Sequence, residues 1–198
     1  IAETAKGLWV VYLLLTVACA ASFALAGMEG WDALMHAFSV MGLGGFSSHD
    51  ASFGYFNSVA IECVAIFFML IAGMNFATHF LAIRGRSLRP YRVDPEAGWY
   101  LVVTLGSVIG IAAFLIYYQV YPNALEALRH SAFNVISIAT TTGFATVDYA
   151  LWPMFAPLWM LFLCSFATSA GLCTRMPAAL PCFFAAALTF SNASMKRG

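Results

Sequence analysis

Two stretches of this chain, "SVMGLGGFSSHD" at 39–50 and "SIATTTGFATVD" at 137–148, align without a gap and share Ser39/Ser137, Gly45/Gly143, Phe46/Phe144 and Asp50/Asp148. Each is a small, hydroxylated, Gly-centred loop set between long apolar runs. The surroundings make this the tightest constraint on the fold. With 62% hydrophobic and only 9% charged residues, against about 25% charged in an ordinary soluble domain, the chain cannot cover a water-facing surface and reads as a polytopic membrane protein. Non-helical backbone at membrane depth is tolerated only where it is buried in protein or lines a watery cavity. A chain that places two such loops in the bilayer must therefore build a cavity or a pore.

The loops belong to a longer duplication, offset by 98 positions from Gly45 to Gly143. The apolar run 8–27 is long enough, at about 1.5 Å per residue, to cross a bilayer core of roughly 30 Å. A short amphipathic stretch follows at 31–41, too short to span, then the first loop. Next comes a long apolar segment, 55–83, interrupted by Asn57, Glu62, Asn75 and His79. After the basic, Pro-containing linker "RGRSLRPYR" at 84–92 the order restarts, with a span at 98–121, a short helix at 123–138, the second loop, and an apolar segment from 154 onward. The expected architecture is an all-α integral membrane protein of tandem helix–pore loop–helix units. Their bounds are 1–83, a cytoplasmic linker at 84–97, and 98–198, with 172–190 atypical.

Charge sets the orientation. Of nine Lys and Arg, Arg84, Arg86, Arg89 and Arg92 lie in the linker, Lys6 precedes the first span, and Lys196 and Arg197 lie at the end of the chain. The positive-inside rule puts these at the cytoplasmic face. Both loops then open outward, among Glu29, Asp32, Asp50, Glu126 and Asp148 against Arg129, and acidic surroundings concentrate cations. Asp32 and Glu126 also complement the positive N-terminal ends of the two half-helices, whose negative ends face the loops. Loops without basic groups, with glycines free to take positive φ, suit a filter of backbone carbonyls for a monovalent cation.

Other polar residues carry blander readings. Glu62 is expected to bond a neighbouring helix or the back of a loop. Asn75 and His79, at i and i+4, either line an inner cavity or glue helices together. Ser48, His49 and Asp50 are the residue types of a hydrolytic triad, but consecutive residues cannot converge as one, so no enzyme is expected. Cys19, Cys63, Cys164, Cys173 and Cys182 lack metal-ligand spacing and read as small core hydrophobes. Trp9, Trp31, Trp99, Tyr100, Tyr121 and Trp152 flank the spans as an interfacial belt would. Zero net charge gives no reason to expect nucleic acid.

Taken together, "IAETAK", "GGFSSHDASFGYFNS", "IAGMNFATHF" and "FNVISIATTTGFATVDYALWP" resemble the bacterial Trk-type potassium-uptake membrane subunits of the Trk/Ktr/HKT superfamily, from residue 1 to about 171. The resemblance implies one pore built from four non-identical span–loop–span repeats, of which these are the second and third, in the bacterial cytoplasmic membrane. It implies filter positions Leu43, Gly44, Gly45 and Phe46 with Thr141, Thr142, Gly143 and Phe144, and potassium held by the backbone of Gly45 and Gly143. Asn75, His79, Ser169 and Gly171 become candidates for the inner cavity or gate. It further implies a homodimer and a cytoplasmic nucleotide-binding regulatory subunit, and no cofactor beyond the transported ion.

Two departures qualify this. The first and fourth repeats are not in the chain. In "TSAGLCTRMPAALPCFFAAALTFSNASMKRG" the glycines and the basic residue expected after Ser169, Ala170 and Gly171 are missing, while Pro177 and Pro181 stand where a helix should be regular. A local change of reading frame over 172–190 would produce this pattern. The alternatives are a non-conducting remnant acting as an assembly piece, or a two-repeat channel completed by dimerisation.

Overall fold

The computed structural model describes residues 2–170. Among these every regular element is helical. Helix α1, Ala2–Leu25, is apolar enough over Lys6–Leu25 to cross a membrane. Its Val10, Leu13, Leu14 and Val17 are exposed along one side of the helix. A turn at Gly27 leads into the half-helix α2, Gly30–Met41, which starts with Asp32 in its first turn and stops at Gly42. After the first loop and a 3-10 turn at Ser52–Tyr55, α3 covers Val59–Ala72 and α4 covers Phe76–Gly85.

The 55–83 segment is therefore not one continuous span. The axes of α3 and α4 differ by 92°. The cause is local: Gly73 caps α3, and Asn75 leaves the helical region (φ −63°, ψ 120°) so that its side-chain oxygen accepts the Ala77 N–H at 2.9 Å. An Asx cap of this kind competes with helix continuation.

The short helix α5, Arg89–Val93, joins α4 to α6, Pro95–Tyr117. The segment 84–97 thus holds the end of α4, all of α5 and the start of α6. Asp94 caps α6 by accepting from Glu96 N–H at 3.1 Å, with Pro at the first helical position. Glu96–Tyr117 is the second helix long and apolar enough to span. The second half-helix, α7, is Ala124–Ala139. After the second loop and a 3-10 turn at Tyr149–Leu151 comes α8, Phe155–Ala170.

In each unit the half-helix packs on its preceding span, α2 on α1 and α7 on α6, while α3 crosses the unit boundary to reach α7. One apolar core runs through both units, with Phe23, Phe53, Met69, Ile111, Leu115, Phe133, Phe144 and Met160 fully buried. Two expectations are corrected here. Cys19 is buried, but Cys63 is exposed and Cys164 only partly covered, because Cys63 follows the inward-facing Glu62 on α3 and so points away from the core. Trp9, Trp31 and Trp99 are exposed as a belt requires, but Trp152 is buried and donates to the Tyr121 hydroxyl at 3.1 Å. Cys173, Cys182 and the atypical stretch 172–190 lie outside the described residues.

Candidate functional site

Both half-helices end the same way. Gly42 N–H donates to Phe38 O and Thr140 N–H to Ile136 O, each at 2.9 Å; Gly44 N–H donates to Ser39 O and Thr142 N–H to Ser137 O, each at 2.8 Å. Left-handed residues then recur at matched positions: Leu43 (φ 49°) and Gly45 (φ 68°) in the first loop, Thr141 (φ 61°) and Gly143 (φ 91°) in the second. Leu and Thr adopt this region at a cost of order 1–3 kcal/mol each, tolerated where the surroundings impose it. The gapless sequence match is thus a match of backbone conformation.

The loops lie side by side. A Cβ on Gly45 would collide with the carbonyl of Thr142. Further along the two loops, Gly54 N–H donates to Ala145 O and Ala145 N–H to Ser52 Oγ, both at 3.3 Å. A Cβ on Gly54 would stand 2.8 Å from Thr146 O. Phe144 is fully buried, edge-on to Phe53 with centroids 4.6 Å apart and stacked over His36 at 5.9 Å. Phe46, its counterpart, is 80% exposed, and nothing lies within 4 Å of a Cβ on Gly143. Thr142 is buried, its hydroxyl 2.7 Å from that of Thr140. Neither 43–46 nor 141–144 carries a charged side chain, so any ligand at these positions meets backbone oxygen and small hydroxyls.

Around the loops runs a set of polar contacts that the sequence reading passed over. On α2, Asp32 accepts from Ser48 Oγ (2.7 Å) and from His49 Nε2 (3.0 Å). His36 donates through Nδ1 to Asp32 O (2.8 Å), which leaves Nε2 to accept from Ser47 Oγ at 2.9 Å. The Ser48 hydrogen bond, and after it that of His49, holds the Asp32 carboxyl below the ordinary aspartate range. On α7, Asn134 donates to His130 O (2.8 Å) and Thr146 Oγ1 (3.0 Å) and accepts from Thr146 N–H (3.3 Å), while His130 Nδ1 lies 3.2 Å from Thr146 Oγ1. Ser137 Oγ donates to Phe144 O at 2.7 Å. The legible signal was a polar stripe at i, i+4 and i+7 on each half-helix.

Glu62 is buried and paired. Arg129 on α7 donates to both its oxygens at 2.7 Å and to Asn57 Oδ1 at 3.2 Å. Arg129 is therefore committed to holding α3 against α7. At the break between α3 and α4, His79 bridges Ile71 O (2.9 Å) and Tyr91 Oη (2.6 Å), and Thr78 donates to Asp94 at 2.8 Å. Asn75 and His79 thus tie the bend together. Gly73, directly above it, approaches Thr140 and the Tyr100 hydroxyl. Ser169 falls within α8, and Gly171 is outside the described residues.

A family model described as TrkH, cation transport protein, matches residues 1–174. The Trk system potassium uptake protein TrkH of Salmonella typhimurium is 47% identical over 83% of the chain, and that of Halomonas elongata 46% over 84%; each alignment covers 34% of the relative. TrkG of Escherichia coli is 36% identical over 81% of the chain. The crystal structure of the potassium transporter TrkH from Vibrio parahaemolyticus superposes with a TM-score of 0.79 at 42% identity, covering 82% of this chain and 35% of that one. The chain spans about a third of the length of the relatives it matches. Among the described residues it is all-α, it is a multi-pass protein of the bacterial cytoplasmic membrane, and the relatives it matches are transport proteins rather than enzymes.

Proposed function

The chain belongs to the TrkH cation transport protein family, and from that premise we propose that it contributes two adjacent quarters of a four-repeat potassium pore. The observation that carries this is the recurrence of left-handed residues at 43 and 45 and again at 141 and 143, on neighbouring loops that each end a half-helix. Alternating left-handed residues turn successive carbonyls toward one side, where they can replace the water shell of a desolvated monovalent cation. The negative ends of α2 and α7 add to that field. Backbone oxygens of Leu43, Gly44, Gly45, Thr141, Thr142 and Gly143 are the proposed potassium ligands, with Phe46 and Phe144 closing the outer side of the filter. The linker 84–92 faces the cytoplasm, and Asp50 and Asp148 face outward. The remaining repeats of the same subunit, a second copy of that subunit and a cytoplasmic nucleotide-binding regulator are the proposed partners. The open space at Gly143 and the exposure of Phe46 favour completion by further repeats over conduction through two loops alone.

The test is a chimera in which this chain replaces the matching segment of the full-length Salmonella relative, expressed in a strain lacking potassium uptake. Growth at low potassium and rubidium uptake are the expected results, with purified chain alone in liposomes giving no flux. An abundant chimera that takes up no rubidium would leave a non-conducting remnant as the better reading. Flux from the chain alone, with cross-linking of two copies about one axis, would favour the dimerised two-repeat channel.

A further inference from the structure

The half-helices carry polar residues at positions that correspond one for one across the duplication: Asp32, His36 and Ser39 on α2, and His130, Asn134 and Ser137 on α7. The spacing i, i+4, i+7 puts each set on one helix face. In both units that face meets the chain returning outward from the filter. The first two positions bond Ser47, Ser48 and His49 in unit one and Thr146 in unit two; the third, in unit two, bonds the carbonyl of Phe144 next to Gly143. His36, Asn134 and Ser137 are fully buried. The side chains differ between units while the positions and the segment they grip are the same, which is the pattern of a geometric requirement met twice by different chemistry.

We propose that these stripes are ladders that position the filter backbone, so that Asp32, His36, His130, Asn134 and Ser137 are positioning residues for ion selectivity rather than general packing. The inference rests on the filter reading above. Its reason is mechanical. The loop carries a strained φ at 141, and selectivity requires its carbonyls to stay at one spacing. Anchoring the chain at 144 and 146 to the helix from which the loop starts restricts the loop's outgoing end. Unit one lacks the last rung: Ser39 Oγ is buried without a partner among the described residues, so the second loop is the more firmly held.

Thr146 is the point to break, because Asn134 grips both its hydroxyl and its N–H. In the full-length chimera, Thr146→Ala is expected to raise sodium uptake relative to rubidium about tenfold, while Thr146→Ser, which keeps the hydroxyl, restores the wild-type ratio. Ser48→Ala, at an exposed rung of unit one, is expected to shift the ratio less. Amides of 141–144 should exchange hydrogen faster in Thr146→Ala than in Thr146→Ser. A purely structural role would instead lower both ions together with membrane abundance. A sodium-to-rubidium ratio unchanged in whichever of the two alanine variants reach the membrane overturns the ladder and leaves the potassium reading intact. Failure of the unmutated chimera to take up rubidium removes the potassium reading, and the ladder with it.

Discussion

Phe46 and Phe144 hold the same place in two copies of one motif, yet one is 80% exposed and the other fully buried. The glycines before them differ in the opposite sense: Gly45 is pressed against the Thr142 carbonyl, and Gly143 has open space. The backbone is alike in both loops, so the difference comes from neighbours. The second loop leans back on the first unit, with Phe144 filling the space beside Phe53 and His36, and Phe46 of the first loop finds no such cover among the described residues. A repeated motif therefore specifies its own turn, while each copy's energetics are set by what stands next to it. Identical residues at matched positions can be a keystone in one unit and a bare edge in the other.

The sharpest way to break this comparison is to truncate both phenylalanines. Phe144→Ala should cost about 3–5 kcal/mol, as for other fully buried aromatics, read as a lower midpoint of thermal unfolding in micelles. Phe46→Ala in the isolated chain should leave that midpoint nearly unchanged. Equal losses would mean that the two loops share one environment. The junction between units is tested by Arg129→Ala, which strands the buried Glu62 carboxylate. Breaking one side of such a pair costs about 3–5 kcal/mol, and adding Glu62→Gln should return part of the lost stability.

The glycines come next. Gly143→Ser meets no neighbour and carries only the backbone cost of order 1–3 kcal/mol. It should spare membrane abundance and lower potassium-over-sodium preference about tenfold, which corresponds to about 1.4 kcal/mol. Gly45→Ser adds a collision with Thr142 and should reduce abundance as well. A Gly45 variant milder than its Gly143 counterpart would mean that Gly45 is not the crowded glycine of the pair. The smallest effect concerns orientation. A cysteine placed at Ser87 should resist an impermeant reagent applied to intact cells, and efficient labelling from outside would turn both loops toward the cytoplasm.

The duplication, the half-helices and the loop glycines were legible because they depend on local chemistry: a 3.6-residue apolar pattern, a Gly at a left-handed turn, a capping residue. The bend at Gly73–Asn75 was not, since an apolar run with one Asn reads as a continuous span until the Asn side chain is seen capping the next helix. Nor was the Glu62–Arg129 pair, whose members sit in different units and carry no spacing signature. The ladders fall between these cases. The stripe of Asp32, His36 and Ser39 is visible on a helical wheel, but its partners are set by how the loop folds back.

The Glu62–Arg129 bond also has a consequence for biosynthesis. The carboxylate is made 67 residues before its cation, an interval of several seconds at roughly 5–20 residues per second. During that interval the first unit would enter the bilayer with an uncompensated acid in the first turn of α3, a residue type disfavoured in membrane segments. The first unit is therefore a poor substrate for stable insertion by itself. Chains halted before Arg129 should be the ones that membrane quality control removes.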